Sequence, residues 1–269
     1  MSKTIFITGA SSGIGRATAQ HFLSKGWNVV ATMRSPEKSS DWCTGEKMLG
    51  LRLDVSDIPS IRQAQDQAIA KFGSIDVLVN NAGYGLVGPF EASTPEQVER
   101  QLGTNVIGLM NVTREILPHY RERRQGLLIN VASMGGRLTF PLYSVYHATK
   151  FAVEGFSEGL IYELEPFGIS VKIIEPGPIR TDFYDRSMEL MTKPGLTAYD
   201  AFVGSAMPNM QKSGATAPGP EVVAKVIYKA ATDGSTRLRY PVNSAGILML
   251  HRWLPLRWFV AIVKKQVMQ

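Results

Sequence analysis

The sequence has a single cysteine in 269 residues, Cys43. That excludes an intrachain disulfide and any C-x-x-C metal or redox motif, and it fits a reducing, cytoplasmic compartment. Cys43 lies among Ser and Lys with no basic partner in a recognisable motif, so no reactive role is expected of it. Long apolar runs are also missing: no uncharged stretch reaches the roughly 18 residues a bilayer span requires. The opening MSKTIFITGA enters a strand-like run at once, so no signal peptide is expected. Repeats, low-complexity tracts and long Lys/Arg tracts are absent. With 29 basic and 23 acidic residues the net charge is +6, which favours anionic ligands but is too diffuse to imply a nucleic-acid partner. His21, His119 and His251 are scattered and point to no metal. What is present is 44% hydrophobic and 19% charged residues, enough to bury a sizeable core and incompatible with disorder.

Apolar runs of strand length alternate with stretches of helical periodicity, the pattern of βαβ units and a parallel sheet. Strands are expected over 4–8, 28–33, 50–54, 77–80, 126–132, 170–175 and 237–242, and helices over 14–24, 58–72, 95–123, 145–167 and 220–231. Several strands are apolar nearly throughout, as strands covered on both faces are. Ser93-Thr94-Pro95-Glu96 places a cap before a proline at a first helical turn. The whole of 1–269 reads as one α/β domain. Residues 180–220 form a connection far longer than a usual turn and hold Phe183, Tyr184, Met188, Met191, Tyr199, Phe202, Met207 and Met210, which suggests a lid. The tail, 243–269, is apolar with Trp253, Trp258 and Phe259, but His251, Arg252, Pro255 and Arg257 interrupt it. A tail packed on the domain or on a partner subunit is preferred to an interfacial membrane anchor.

After the first strand comes Thr8-Gly9-Ala10-Ser11-Ser12-Gly13-Ile14-Gly15 and then a helix, whose first turn would offer free N–H groups to an anion. In that context the glycines mark a dinucleotide pyrophosphate site. Gly9 serves the sharp turn, Gly13 the approach of the phosphates and Gly15 the packing of helix on sheet. The spacing departs from G-x-G-x-x-G, so the strand-turn-helix context carries the inference. The second strand ends Val29-Val30-Ala31-Thr32-Met33-Arg34, without the acid that would hold the adenine-ribose hydroxyls of NAD. Arg34 offers a charged fork for a 2′-phosphate, and Ser11 and Ser12 could add hydroxyl donors, so NADP is expected.

Tyr146 and Lys150 stand four apart on an expected helix and share a face. A phenol ordinarily titrates near pH 10, and a neighbouring cation stabilises its phenolate, so the pair makes acid–base sense. His147 points about 100° around the helix from Tyr146 and is assigned a packing or surface role. Six features in order resemble the short-chain dehydrogenase/reductase family over residues 4–242. They are Thr8-Gly9-x-x-x-Gly13-Ile14-Gly15, Asp54-Val55, Asn80-Asn81-Ala82-Gly83, Asn105, Ser133 with Tyr146-x-x-x-Lys150, and Pro176-Gly177-Pro178-Ile179-x-Thr181.

The resemblance implies a doubly wound parallel (Rossmann) sheet of order 3-2-1-4-5-6-7 with helices on both faces. It also implies a nicotinamide cofactor and a catalytic tetrad of Asn105, Ser133, Tyr146 and Lys150. Ser133 would hold the substrate oxygen while Tyr146 donates a proton to it; Lys150 would assist Tyr146 and bind the nicotinamide ribose. By the same resemblance Asn105 would hold a water relaying protons to Lys150. Asp54 and Val55 would meet the adenine, Asn81, Ala82 and Gly83 the adenine ribose, and Pro176, Gly177, Ile179 and Thr181 the carboxamide and a phosphate.

The methionines and aromatics of 180–220 suit an apolar carbonyl or alcohol substrate. The 31–34 stretch and the long tail resemble the branch containing retinol and 17β-hydroxysteroid dehydrogenases. A 3-oxoacyl-carrier-protein-type reductase is the alternative within the family, and a non-catalytic NADP(H)-sensing regulator the alternative outside catalysis. The resemblance further implies a homodimer or homotetramer. No metal or nucleic-acid partner is expected.

Overall fold

A computed structural model describes residues 2–181 and 188–268. The strands, in chain order, are β1 (Thr4–Thr8), β2 (Asn28–Met33), β3 (Thr44–Gly45), β4 (Met48–Arg52), β5 (Val77–Asn80), β6 (Gly85–Val87), β7 (Gly126–Val131), β8 (Ile169–Pro176), β9 (Met188–Leu190) and β10 (Arg239–Val242). The helices are α1 (Gly13–Ser24), α2 (Ile58–Phe72), α3 (Pro95–Leu102), α4 (Leu109–Arg123), α5 (Ser144–Leu164), α6 (Asp200–Ala215), α7 (Glu221–Thr232), α8 (Ala245–Trp253) and α9 (Leu256–Met268).

Eight strands form the main sheet in the order β10-β8-β7-β5-β1-β2-β4-β3, parallel except for the antiparallel edge pair β3–β4. From β4 to β10 this is the order the resemblance implies; β3 is an added edge. Alternation along the strands divides the core. Ile5 and Ile7 of β1 face a cluster with Phe22 of α1 and Ile227 of α7, while Phe6 faces Ile61 of α2, Ile116 of α4 and Leu160 of α5. A strand buried on both faces favours consecutive apolar residues, which is why the middle of β1 reads Ile5-Phe6-Ile7 without a polar–apolar rhythm. Cys43 is buried in the first of these clusters, and a Cβ added at Gly50 would lie 2.5 Å from its sulfur, so the thiol fills core space.

Thr94 caps α3 reciprocally: its hydroxyl accepts from the Gln97 N–H (3.2 Å), and the Gln97 side chain accepts from the Thr94 N–H (3.0 Å). The helix expected over 95–123 is α3, a π-helical segment Gly103–Gly108 and α4 in unbroken succession. Among its described residues the region 180–220 contains β9 and α6. β9 pairs with β6 in a separate two-stranded sheet, with Gly85 opposite Met188. Phe183 and Tyr184 lie outside the described residues. The tail folds into α8 and α9, and Asn209 of α6 donates to the Val267 carbonyl of α9 (3.0 Å).

Candidate active site

The carboxyl ends of the parallel strands open on one cleft of about 1110 Å³. In an open α/β sheet this is where the connections diverge and leave room for a ligand. At one end of the cleft lies the glycine turn. Gly9 has φ +67°, and a Cβ there would lie 2.8 Å from the Ala82 Cα. A Cβ on Gly15 would lie 2.3 Å from the Gly9 carbonyl oxygen, so α1 lies against its own turn more closely than a side chain permits. Asn81 ties the turn to the end of β5: its backbone N–H donates to Thr8 Oγ1, and its amide donates to the carbonyls of Thr8 and Gly9, each at 3.0 Å. Ser12 precedes α1 without a side-chain capping bond, and the first turn holds no acid. Its donors therefore suit the phosphates of a dinucleotide.

Arg34 is exposed at the end of β2 and lines this part of the cleft with Ser11, Ser12 and Asp54. Burial pushes the Asp54 carboxyl up, but hydrogen bonds from the Ser56 hydroxyl (2.6 Å) and N–H (2.9 Å), with Arg34 and Arg52 nearby, outweigh it and hold the group below its ordinary value. Val55 is buried, and a Cβ on Gly108 would lie 2.5 Å from its Cγ2.

In the middle of the cleft α5 presents Tyr146 and Lys150 one turn apart, with Lys150 Nζ 5.8 Å from the centre of the Tyr146 ring. The ammonium is buried and donates to the Val131 carbonyl of β7 (2.9 Å). Burial lowers its pKa to about 8, against the opposing pull of Glu154. Ser133, just past β7, accepts at Oγ from the Gly135 N–H (3.0 Å) and donates to the Pro176 carbonyl (3.4 Å). The turn that follows it lies directly on α5. A Cβ on Gly135 would sit 2.6 Å from His147 Nδ1, and one on Gly136 would sit 2.8 Å from the Lys150 carbonyl oxygen. His147 is buried, as a packing role requires, and it fastens the turn. Its Nε2 accepts from the Phe140 N–H (2.9 Å), which leaves Nδ1 to carry the proton donated to the Gly135 carbonyl (2.8 Å). Burial lowers the His147 pKa and favours this neutral tautomer.

Behind these groups a buried ionic network joins three elements. Arg239 of β10 pairs with Glu154 of α5 (3.1 Å) and Glu175 of β8 (3.3 Å), and Arg137 pairs with Glu175 (3.3 Å). Burial and the neighbouring Glu175 raise the Glu154 carboxyl to about 7. Asn105 lies within the π-helical segment and is buried. Its Oδ1 accepts from the Tyr84 N–H (3.0 Å), and its Nδ2 donates to the Tyr84 carbonyl (2.8 Å) and to Thr149 Oγ1 (3.1 Å).

Past Tyr146 the cleft is lined by Phe140, Tyr143, Met188, Asn209, Met210 and Ser213, and by Ile247, Gln266 and Val267 of the tail helices. Met191, Met207 and Phe202 pack in the apolar clusters of this region, and the Tyr199 hydroxyl donates to Glu91 (2.9 Å). Of the residues singled out from the sequence, Gly9, Ser11, Ser12, Gly13, Ile14, Arg34, Asp54, Val55, Asn81, Ala82, Gly83, Ser133, Tyr146, Lys150, Pro176, Gly177, Ile179 and Thr181 line the cleft. Gly15 and Asn105 lie beside it, the first supporting the turn and the second clamping the Tyr84 backbone to α5. Sequence reasoning missed Tyr143, Asn209, Ser213 and Gln266. Tyr143 stands three residues before Tyr146, a spacing that could have revealed it. It also missed the Arg100–Glu189 ion pair at the rim. The described residues contain no cluster of groups that could hold a metal ion.

Residues 3–190 match the family model for short chain dehydrogenase. The chain is 41% identical over 202 residues to a 3-ketodihydrosphingosine reductase of Bacteroides thetaiotaomicron, covering 75% of this chain and 73% of that one. A solved short-chain dehydrogenase from Streptomyces avermitilis superposes with a TM-score of 0.84 at 33% identity, covering 98% of this chain and 96% of the other. Solved neighbours differ in nucleotide. A short-chain dehydrogenase/reductase from Burkholderia phymatum is in complex with NAD (TM-score 0.80, 25% identity, 93% and 92% covered). ElxO has NADP bound (TM-score 0.74, 26% identity, 90% and 97% covered).

Proposed function

The chain belongs to the short-chain dehydrogenase family of oxidoreductases, and on that premise we propose that it reduces the carbonyl of an apolar substrate to an alcohol, reversibly, with NADPH. The observation that carries this reading is the meeting of Tyr146, Lys150 and Ser133 midway along a cleft, with phosphate-binding donors at one end and apolar side chains at the other. A reduced nicotinamide held by these residues would supply a hydride to the carbonyl carbon. The chain's own residues do the rest. Ser133 holds the carbonyl oxygen as negative charge builds on it, and the Tyr146 hydroxyl gives that oxygen its proton. Lys150, fixed to Val131, steadies the resulting phenolate and, by the family resemblance, would bind the ribose hydroxyls. Both Nδ2 hydrogens of Asn105 are committed to Tyr84 and Thr149, so a water held by Asn105 for proton relay would donate to its Oδ1 or its backbone carbonyl.

Arg34, with no acid at the end of β2, supports NADP over NAD, although family structures carry either nucleotide. Met188, Met210, Ile247 and Val267 support an apolar substrate, and 180–220 would act as its lid. The similarity to the Bacteroides reductase supports the same substrate class. Exposed Leu102, Ile107 and Phe151, on the helices that carry Asn105 and the Tyr146–Lys150 pair, support a homodimer or homotetramer through that face.

The test is titration with NADPH and NADH, followed by loss of reduced-nicotinamide absorbance over a panel of long-chain, aromatic and steroid carbonyls. Preferential NADPH binding with turnover on one panel member is expected, and Tyr146→Phe should abolish turnover while nucleotide affinity holds. Turnover that survives Tyr146→Phe would overturn the mechanism.

A further inference from the structure

From Gly234 to Gln269 the chain contains no Asp or Glu, while it contains Arg237, Arg239, Arg252, Arg257, Lys264 and Lys265. These 36 residues thus carry the whole +6 net charge, and the rest of the chain is balanced at 23 of each sign. Arg239 is consumed by the buried network. Arg252, Arg257, Lys264 and Lys265 are exposed on α8 and α9, and none makes an ion pair among the described residues.

The two helices have an inner and an outer side. Leu248, Phe259 and Val263 pack on Leu138, which holds the pair to the body of the protein. On the outer side Met249, Leu250, Trp253, Leu256, Trp258, Val260 and Ile262 are exposed, seven of the thirteen exposed large apolar side chains among the described residues. Trp253 and Trp258, 78% and 58% exposed, flank the corner at Pro255. The Arg257 guanidinium lies 5.9 Å from the centre of the Trp258 ring.

We propose that the α8–α9 corner is a docking surface for an anionic lipid membrane. Tryptophans suit the headgroup boundary, where the ring is half in hydrocarbon and its N–H can find a polar partner. Four cations beside them meet anionic headgroups, and no acid on the segment opposes the approach. No helix among the described residues is long and apolar enough to cross a bilayer, so the contact is interfacial. A second copy fits less well: a two-fold interface sets a patch against itself, which here brings four cations onto four cations without a carboxylate between them. Docking stands independently of the proposed reaction. Its consequence rests on that reaction: Ile247 and Val267 of the same helices line the substrate end, so the bilayer would lie beside the entry of an apolar substrate.

Flotation of the full chain with phosphatidylcholine vesicles, with and without phosphatidylserine, tests the proposal. Binding only to the anionic vesicles, weakened by salt, is expected. Each cation near such a surface is worth roughly a fivefold change in partitioning, so R252Q/R257Q/K264Q/K265Q should lose on the order of a hundredfold or more, with an unchanged melting temperature. W253S/W258S should also lose binding, with an unchanged mass in light scattering without vesicles. Failure of the full chain to float with anionic vesicles at low salt, or equal flotation with both vesicle types, overturns the proposal. So does charge-variant binding equal to that of the parent. A fall in solution mass on W253S/W258S would assign the corner to a second copy and equally overturn it.

Discussion

Arg34 and His147 act through single side chains. Arg34 is exposed where the cleft meets the glycine turn, and a guanidinium there on a 2′-phosphate would form charge-assisted bonds worth about 1.5–3 kcal/mol. Arg34→Glu is therefore expected to weaken NADPH binding roughly tenfold or more while NADH binding tightens, as read by nucleotide titration. Weakening of both nucleotides alike would show that Arg34 does not read the 2′-position. His147 fastens the turn after Ser133 through Phe140 and Gly135. His147→Phe leaves a buried N–H and carbonyl without partners at about 1–3 kcal/mol each, so the melting temperature should fall. If the side chain positions Ser133, turnover should fall in the same variant while nucleotide affinity is retained, and His147→Gln should recover part of the rate. A variant that melts early but turns over at the parent's rate would confine His147 to packing.

At the scale of elements, α5 is joined to β8 and β10 by Glu154, Glu175, Arg137 and Arg239. Glu154 Oε1 is buried without a hydrogen-bond partner, in keeping with a carboxyl that retains its proton up to about 7. The folded chain thus binds more protons than the unfolded chain between the ordinary carboxylate range and about 7, so this group's contribution to stability falls as pH rises through that window. Glu154→Gln should remove this falling contribution, so that its melting temperature across the window slopes downward less, or upward more, with pH than the parent's; parallel curves would remove Glu154 as its source. This coupling was not legible in the sequence, where Glu154, Glu175 and Arg239 are ordinary charges far apart. The strands were legible because burial on both faces demands uninterrupted apolar runs, and the glycine turn because its close approaches tolerate no side chain. The β6–β9 pair was hidden, since three residues show no periodicity and its partners lie a hundred positions apart. Pro208 and two glycines, Gly204 and Gly214, disguised α6. Asn209, Ser213 and Gln266 reach the cleft only through the tertiary placement of α6 and α9.

For the whole molecule, Leu102, Ile107 and Phe151 leave an apolar face on the helices that carry Asn105, Tyr146 and Lys150, with Ile107 52% exposed and Phe151 45%. Ile107→Asp with Phe151→Glu would place charges in a desolvated interface and should dissociate a dimer or tetramer in light scattering. An unchanged mass would remove this face as a subunit contact. The ends of the main sheet offer assembly a poor alternative. One edge is the two-residue antiparallel β3, its side chains exposed, and the other is β10, where Pro241 has no N–H to give and Arg239 is held inward by carboxylates. Short, charged or proline-bearing edges do not template a further strand. The protein therefore has two blunted ends where a parallel sheet would otherwise be open to runaway β-stacking, and crowded or concentrated samples should resist fibril growth as long as the fold holds.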